Sequence, residues 1–263
     1  MIGFQWGVGG AAYATVISQA VSGIGIMIYA FLKLTILHFK KEDRRWNKRR
    51  MADIIKNDVA TGIQQSVMNF GILMIQGLVN SFGTTIMAAF AAAVKIDTIA
   101  YMPSQEFANA YSLFVSQNYG AGRPERIRKG SRLSFVFSLI FCALISVLIF
   151  IFAGQLMGIF IDPSESEVIR EGVRYLRIEG AMYVGIGMLF LWYGYFRGIK
   201  KPQISLILTI ISLGTRVAFS YAFAPNTGLG VTAIWLAIPI GWVLADIAGG
   251  IFYLKNFGQR RDG

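Results

Sequence analysis

The stretch Leu133–Phe152, LSFVFSLIFCALISVLIFIF, holds twenty residues without a single charge. That is the length an α-helix needs to cross a hydrocarbon layer ~30 Å thick, at about 1.5 Å per residue. Backbone groups find no water to bond in lipid, so such a run is read as one continuous helix. Its two flanks differ in sign. Gly120–Arg132 before it carries five cations, whereas Asp162–Glu167 after it carries three acids and no Lys or Arg.

The alternation extends along the whole chain. Nineteen of the 25 basic residues fall in four gaps, His38–Asn57, Gly120–Arg132, Arg197–Lys201 and Lys255–Gly263. The breaks between them, Met1–Trp6, Ser81–Gly83, Asp162–Glu167 and Ala224–Gly230, hold none. Cytoplasmic loops of membrane proteins retain Lys and Arg near helix ends, and a soluble chain has no reason to sort its cations in this way. With 55% hydrophobic and 15% charged residues and a mean hydropathy of +0.54, the chain is an integral membrane protein. Its net charge of +11 then reads as orientation against an anionic inner leaflet and not as nucleic-acid binding.

Seven spans are expected: Ala11–Leu37, Val59–Val79, Thr84–Tyr119, Leu133–Phe152, Val168–Phe196, Ile204–Phe223 and Val231–Leu254. The fold class is all-α, a polytopic membrane protein with seven transmembrane helices. An odd number puts the termini on opposite sides, with Met1 outside and Gly263 in the cytoplasm. Met1–Trp6 has no basic n-region, so no cleavable signal peptide is read there. Ser164 and Glu167 have capping-box spacing and are expected to start the fifth helix. Arg170, Arg174 and Arg177 on its first turns read as an interfacial face. Pro103 interrupts the long third span and should bend it.

Chemistry-bearing residues are few. Cys142 lies inside an apolar run, which excludes an intrachain disulfide and a cysteine metal site, and His38 borders a basic gap. The chain holds no His-Glu-x-x-His, Gly-x-Ser-x-Gly or phosphate-binding Gly-Lys motif, so no enzyme and no cofactor are expected. Gln65, Asn69, Gln76 and Asn80 recur at offsets of four, seven and four, placing four amides on one stripe of the second helix. In lipid that stripe either glues helices together or lines a wet cavity. In the third span, Lys95 reads as structurally paired and Asp97 as a cavity candidate, because a charge at mid-membrane costs about 2.5–3.5 kcal/mol. Arg216 either snorkels or meets an acid, and Asp246 reads as interfacial.

One region is more specific. Ala88-Ala89-Phe90-Ala91-Ala92-Ala93-Val94-Lys95-Ile96-Asp97, then Met102-Pro103, then Val115-Ser116-Gln117-Asn118-Tyr119-Gly120-Ala121-Gly122, resembles the eighth helix of the multidrug and toxic compound extrusion (MATE) transporters. Gly9–Gln19 is similar to the start of their sixth helix, Phe196–Pro202 to the loop after the tenth, and Gly228–Val231 with Trp235 to the start of the twelfth. The resemblance covers essentially all 263 residues in order.

The resemblance implies helices six to twelve of a two-lobed, twelve-helix transporter. Residues 1–37 would be the last helix of the N-terminal lobe, 38–57 a basic cytoplasmic linker, and 58–263 the six-helix C-terminal lobe. It implies export of cationic or amphipathic compounds by Na⁺- or H⁺-coupled antiport, in a plasma membrane of bacterial type. Half of such a machine is expected to be inactive alone, and its partner would be a separate first-lobe polypeptide. Gln65, Asn69, Gln76, Asp97 and Tyr183 are the substrate-cavity candidates, with no metal site. One branch of the family carries cation-site acids where this chain has Met68 and Ile186, so no family coupling carboxylate can be assigned. The alternatives are a lipid-linked saccharide flippase of the same superfamily, which would want more deep cations than Lys95 and Arg216, and a non-transporting seven-helix membrane protein.

Overall fold

Serines and other small residues recur every three to four positions inside the apolar run that opens the sequence, and this spacing sets how the bundle packs. In the computed structural model, which describes residues 7–33 and 47–258, that run lies within a helix, Pro124–Gly158. Ser131, Ser138, Cys142, Ser146 and Ala153 face inward, while Leu133, Phe137, Ile140, Leu144, Leu148 and Ile151 are exposed. The order is the reverse of a soluble core. Lipid is as apolar as leucine, so association relies on small residues that bring backbones together, and large side chains face the tails.

Eight helices account for nearly all the described residues: α1 (Gly7–Lys33), α2 (Lys48–Asn80), α3 (Thr84–Gly120), α4 (Pro124–Gly158), α5 (Ser166–Gly180), α6 (Tyr183–Gly198), α7 (Pro202–Phe223) and α8 (Val231–Gly258). The all-α membrane architecture is as expected. The chain divides into two units, Met1–Asp53 and Ile54–Gly263. The first unit contains α1, an apolar helix exposed along almost its whole length. His38, the cations 40–45 and Arg260 and Arg261 lie outside the described residues.

In the second unit, α6 is the central helix and packs on α3, α4, α7 and α8. Its sequence, YVGIGMLFLWYGYFRG, contains Gly194 and Gly198 four apart, the spacing that allows close helix approach in membranes. A Cβ at Gly198 would fall 2.9 Å from the Ser112 carbonyl oxygen on α3. Likewise α8 seats Gly241 on α7, where a Cβ would meet the Ser212 carbonyl oxygen at 2.4 Å. These are backbone contacts that no side-chain rearrangement could relieve.

Several sequence expectations need correction. The fifth span is not one helix: a turn at Ala181–Met182 separates α5 from α6, with the Met182 amide bonded to the Glu179 carbonyl and the Gly185 amide to the Met182 carbonyl. Fifteen and sixteen residues rise about 22 and 24 Å, so neither segment alone crosses ~30 Å. Hydropathy missed the break because a two-residue turn leaves no polar gap. Among the described residues five helices are individually long and apolar enough to span, and α2 is not one of them, since its amides dilute its hydropathy. The α3 helix is continuous through Pro103, which is exposed.

Ser164 and Glu167 do not form a capping box. The residue before α5 is Glu165, which makes no side-chain cap bond, while the Ser164 hydroxyl and amide both donate to Oδ1 of Asp162, at 2.7 and 2.9 Å. These two donors hold the Asp162 carboxyl below its ordinary range. The pairing expected for Lys95 is also not seen: the residue is exposed and takes no part in an ion pair among the described residues.

Candidate functional site

The amide stripe of α2 separates into parts. Gln65 lines a small cleft of about 70 Å³ together with Gln64, Met68, Gln105, Asn109, Phe190, Tyr193 and Arg197 from α2, α3 and α6. Gln64, which the stripe did not include, is buried and donates to Oγ1 of Thr209 at 3.0 Å. The Thr209 hydroxyl in turn donates to the Ser205 carbonyl, and the Ser205 hydroxyl donates to the Tyr193 carbonyl. This relay ties α2 to α7 and α7 to α6, so Gln64 is the interhelical glue and its neighbour Gln65 is left facing the cleft. Asn69 is exposed, and Gln76 is half-buried and donates to Asn80 one turn on.

The cleft also holds a cation. Arg197 donates from Nη2 to Oδ1 of Asn109 at 3.1 Å and from Nε to the Tyr193 carbonyl. Its guanidinium is therefore committed to neighbours across α3 and α6.

Asp97 and Tyr183 lie elsewhere. Both are buried, at 2% and 1% exposure, and the Tyr183 hydroxyl of α6 donates to Oδ1 of Asp97 on α3. Glu179, at 4% exposure, comes from the end of α5, where Tyr175 one turn earlier is also buried, and Glu179 Oε2 and Asp97 Oδ2 are both buried without a hydrogen-bond partner. The guanidinium of Arg216 on α7 acts electrostatically on both carboxyls, and its buried Nε has no partner. Two carboxyls, two phenols and a guanidinium nitrogen from four helices are thus buried inside the second unit, with the Tyr183–Asp97 bond joining α6 to α3. A further acid, Asp246 on α8, has a buried and unpartnered Oδ1.

Glu179 and Tyr175 were missed at the sequence level. Three exposed arginines just before Glu179 make the segment look interfacial, and the spacing Tyr175–Glu179, one helical turn, was the available signal. Cys142 packs among Ser104, Ser138 and Gly187, as a structural thiol would. Among the described residues no group of three or more His, Cys, Asp and Glu side chains could hold a metal ion.

The sequence model of the family MatE matches residues 60–222, well over half of the chain. Probable multidrug resistance protein YpnP of Bacillus subtilis is 28% identical over 251 residues, 95% of this chain and 55% of that protein. Probable multidrug resistance protein NorM of Thermotoga maritima is 24% identical over 98% of this chain and 55% of its own length. A crystal structure of MATE in complex with MaL6 superposes with a TM-score of 0.89 at 24% identity, over 98% of this chain and 58% of that one. The chain therefore spans about half the length of the relatives it matches. On the family match and the shared helical fold, the chain belongs to the MATE family.

Proposed function

We propose that this chain supplies one lobe of an efflux transporter that exports cationic or amphipathic compounds in exchange for an inward-moving cation. The observation that carries the reading is the family match over residues 60–222, and two relatives named as probable multidrug resistance proteins support the substrate class. The cation gaps argue for an outside Met1 and a cytoplasmic Gly263. In this reading α1 is the last helix of the first lobe and residues 58–263 form the second, with Gln65, Asn69 and Gln76 offering hydrogen-bonding groups to a central pathway.

Alternating access requires that substrate and coupling ion bias one inward–outward equilibrium, which they do only by binding its two states differently. A pathway between two lobes needs both walls, so these 263 residues transport only together with a first lobe. The test is ethidium accumulation in cells lacking their own efflux pumps. The chain joined to a first lobe should lower accumulation, and Q65L in the same protein should return it toward the level of empty cells. Unchanged accumulation with the joined protein would contradict the reading.

A further inference from the structure

A groove of about 620 Å³ opens where α4, α6 and α8 come together, and its lining changes character along α4. Arg128, Lys129 and Arg132 line it first, all three exposed, and Phe135 and Val136 follow. Offsets of one, four, seven and eight from Arg128 keep these five residues on one face of the helix. Trp192 of α6 lies between Phe135 and Tyr253 of α8, with ring centroids 4.6 and 5.5 Å away, so three helices build one aromatic surface. Gly249 on α8 makes room for it, since a Cβ there would fall 2.8 Å from the indole. We infer that this groove binds an anionic phospholipid, with the head group on the three cations and an acyl chain on the aromatic surface. The site goes beyond the transport reading and rests only on the membrane fold.

Depth and charge together select this occupant. Arg132 is the last charged residue before the uncharged Leu133–Phe152, so the groove passes from the level of lipid head groups to that of the tails. Arg128 and Val136 are about 12 Å apart along the helix axis, at ~1.5 Å per residue. A water-soluble anion would meet the cations and leave the rings uncovered. An uncharged lipid would cover the rings and leave the cations unmatched. Among the described residues none of the three cations takes part in an ion pair. Glu125 also lines the groove, and three cations less one carboxylate still leave two positive charges. Segments 34–46 and 259–263 of the chain each carry a net positive charge, which like charge would repel from this surface. The volume is within the ~300–1,000 Å³ of ordinary ligand sites. In the proposed topology this end of α4 is cytoplasmic, the side on which basic pockets between membrane helices hold anionic head groups.

Trp192 supplies the readout, because bromine atoms on an acyl chain quench the fluorescence of an indole they touch. The chain has five tryptophans. Replacing two of them, W6F with W46F, leaves the half-buried Trp192 beside the buried Trp235 and Trp242. In phosphatidylcholine vesicles, brominated phosphatidylglycerol should quench this full-length protein at a lower mole fraction than brominated phosphatidylcholine, by about fivefold for each cation engaged. R128Q with R132Q should bring the two midpoints together. R126Q removes a cation of α4 that does not line the groove and should change neither. W192F should abolish the selective quenching; should that variant fail to fold, the charge variants read the site with Trp192 in place.

Equal quenching by the two brominated lipids overturns the inference. So does a shift from R126Q as large as that from R128Q, the mark of diffuse surface attraction. Brominated phosphatidylethanolamine quenching as well as phosphatidylglycerol would also overturn it, since Glu125 would then be reading an ammonium. Relief of quenching by inorganic phosphate, at an ionic strength where sodium chloride gives none, would show a site for a free anion and would equally contradict a lipid site.

Discussion

A Cβ placed on Gly194 of α6 would lie 2.6 Å from the carbonyl oxygen of Ala108 on α3, closer than real Cβ atoms come. The contact is to backbone, so G194A must push two helices apart. Overpacking of this kind costs about 1–3 kcal/mol. Gly154 on α4 has nothing within 4 Å of the same position, and G154A should be neutral or slightly stabilising, since alanine is the better helix former by about 1 kcal/mol. Thermal unfolding in detergent followed by circular dichroism separates the two: a lowered midpoint for G194A only.

Adjacent glutamines on α2 should respond differently to the same substitution. Q64L removes the bond to Thr209 and strands the threonine hydroxyl's remaining acceptor capacity, and the bonds of such interhelical pairs in membranes average about 0.6 kcal/mol. Q64L should therefore lower the unfolding midpoint modestly. Q65L should leave it in place and weaken binding of a lipophilic cation, read by fluorescence titration of the protein joined to a first lobe. Equal thermal losses for both variants would contradict the division between glue and cleft.

The outline of this fold was legible because lipid imposes few solutions. The charge-free Leu133–Phe152 and the sorted cations announce spans directly, and the sequence also pointed to Gln65, Asp97 and Tyr183 as polar residues needing an explanation. Their company was not legible. Tyr183 meets Asp97 across 86 positions of chain, and Glu179 is buried where α5 ends at Gly180. Hydropathy records no such turn, and the nearby Arg170, Arg174 and Arg177 disguise a buried acid as an interfacial one. Helix ends shifted for a related reason: α4 begins at Pro124, inside the basic gap, because charged residues form helix readily outside the bilayer.

Orientation can be read with single cysteines. Cys142 is the one cysteine of the chain and is buried, so C142S supplies a background in which the added serine hydroxyl can still reach Ser104. In intact cells a membrane-impermeant maleimide should label S164C in the acidic loop at once. A121C, beside the basic gap, should react only after the membrane is opened. The opposite pattern would invert the proposed topology.

The acidic loop also carries a pH signature. Asp162 accepts two bonds from Ser164, so its carboxyl titrates below its ordinary value in the folded protein. The sign follows: a depressed folded value means that the turn's contribution is present above the unfolded pKa and is lost as pH falls through the folded one. With ¹³C-labelled aspartate, the Asp162 carboxyl resonance should titrate late on acidification, and S164A should move its midpoint upward toward the ordinary value. Identical midpoints would mean that the turn does not persist in solution.

The most direct measurement is ethidium efflux from proteoliposomes under an imposed pH gradient, comparing the 263-residue chain alone with the chain reconstituted together with a first-lobe polypeptide. The account predicts no efflux above empty liposomes for the chain alone, and gradient-dependent efflux for the pair. Sustained efflux by the chain alone would contradict it, because a single lobe would then be a complete transporter.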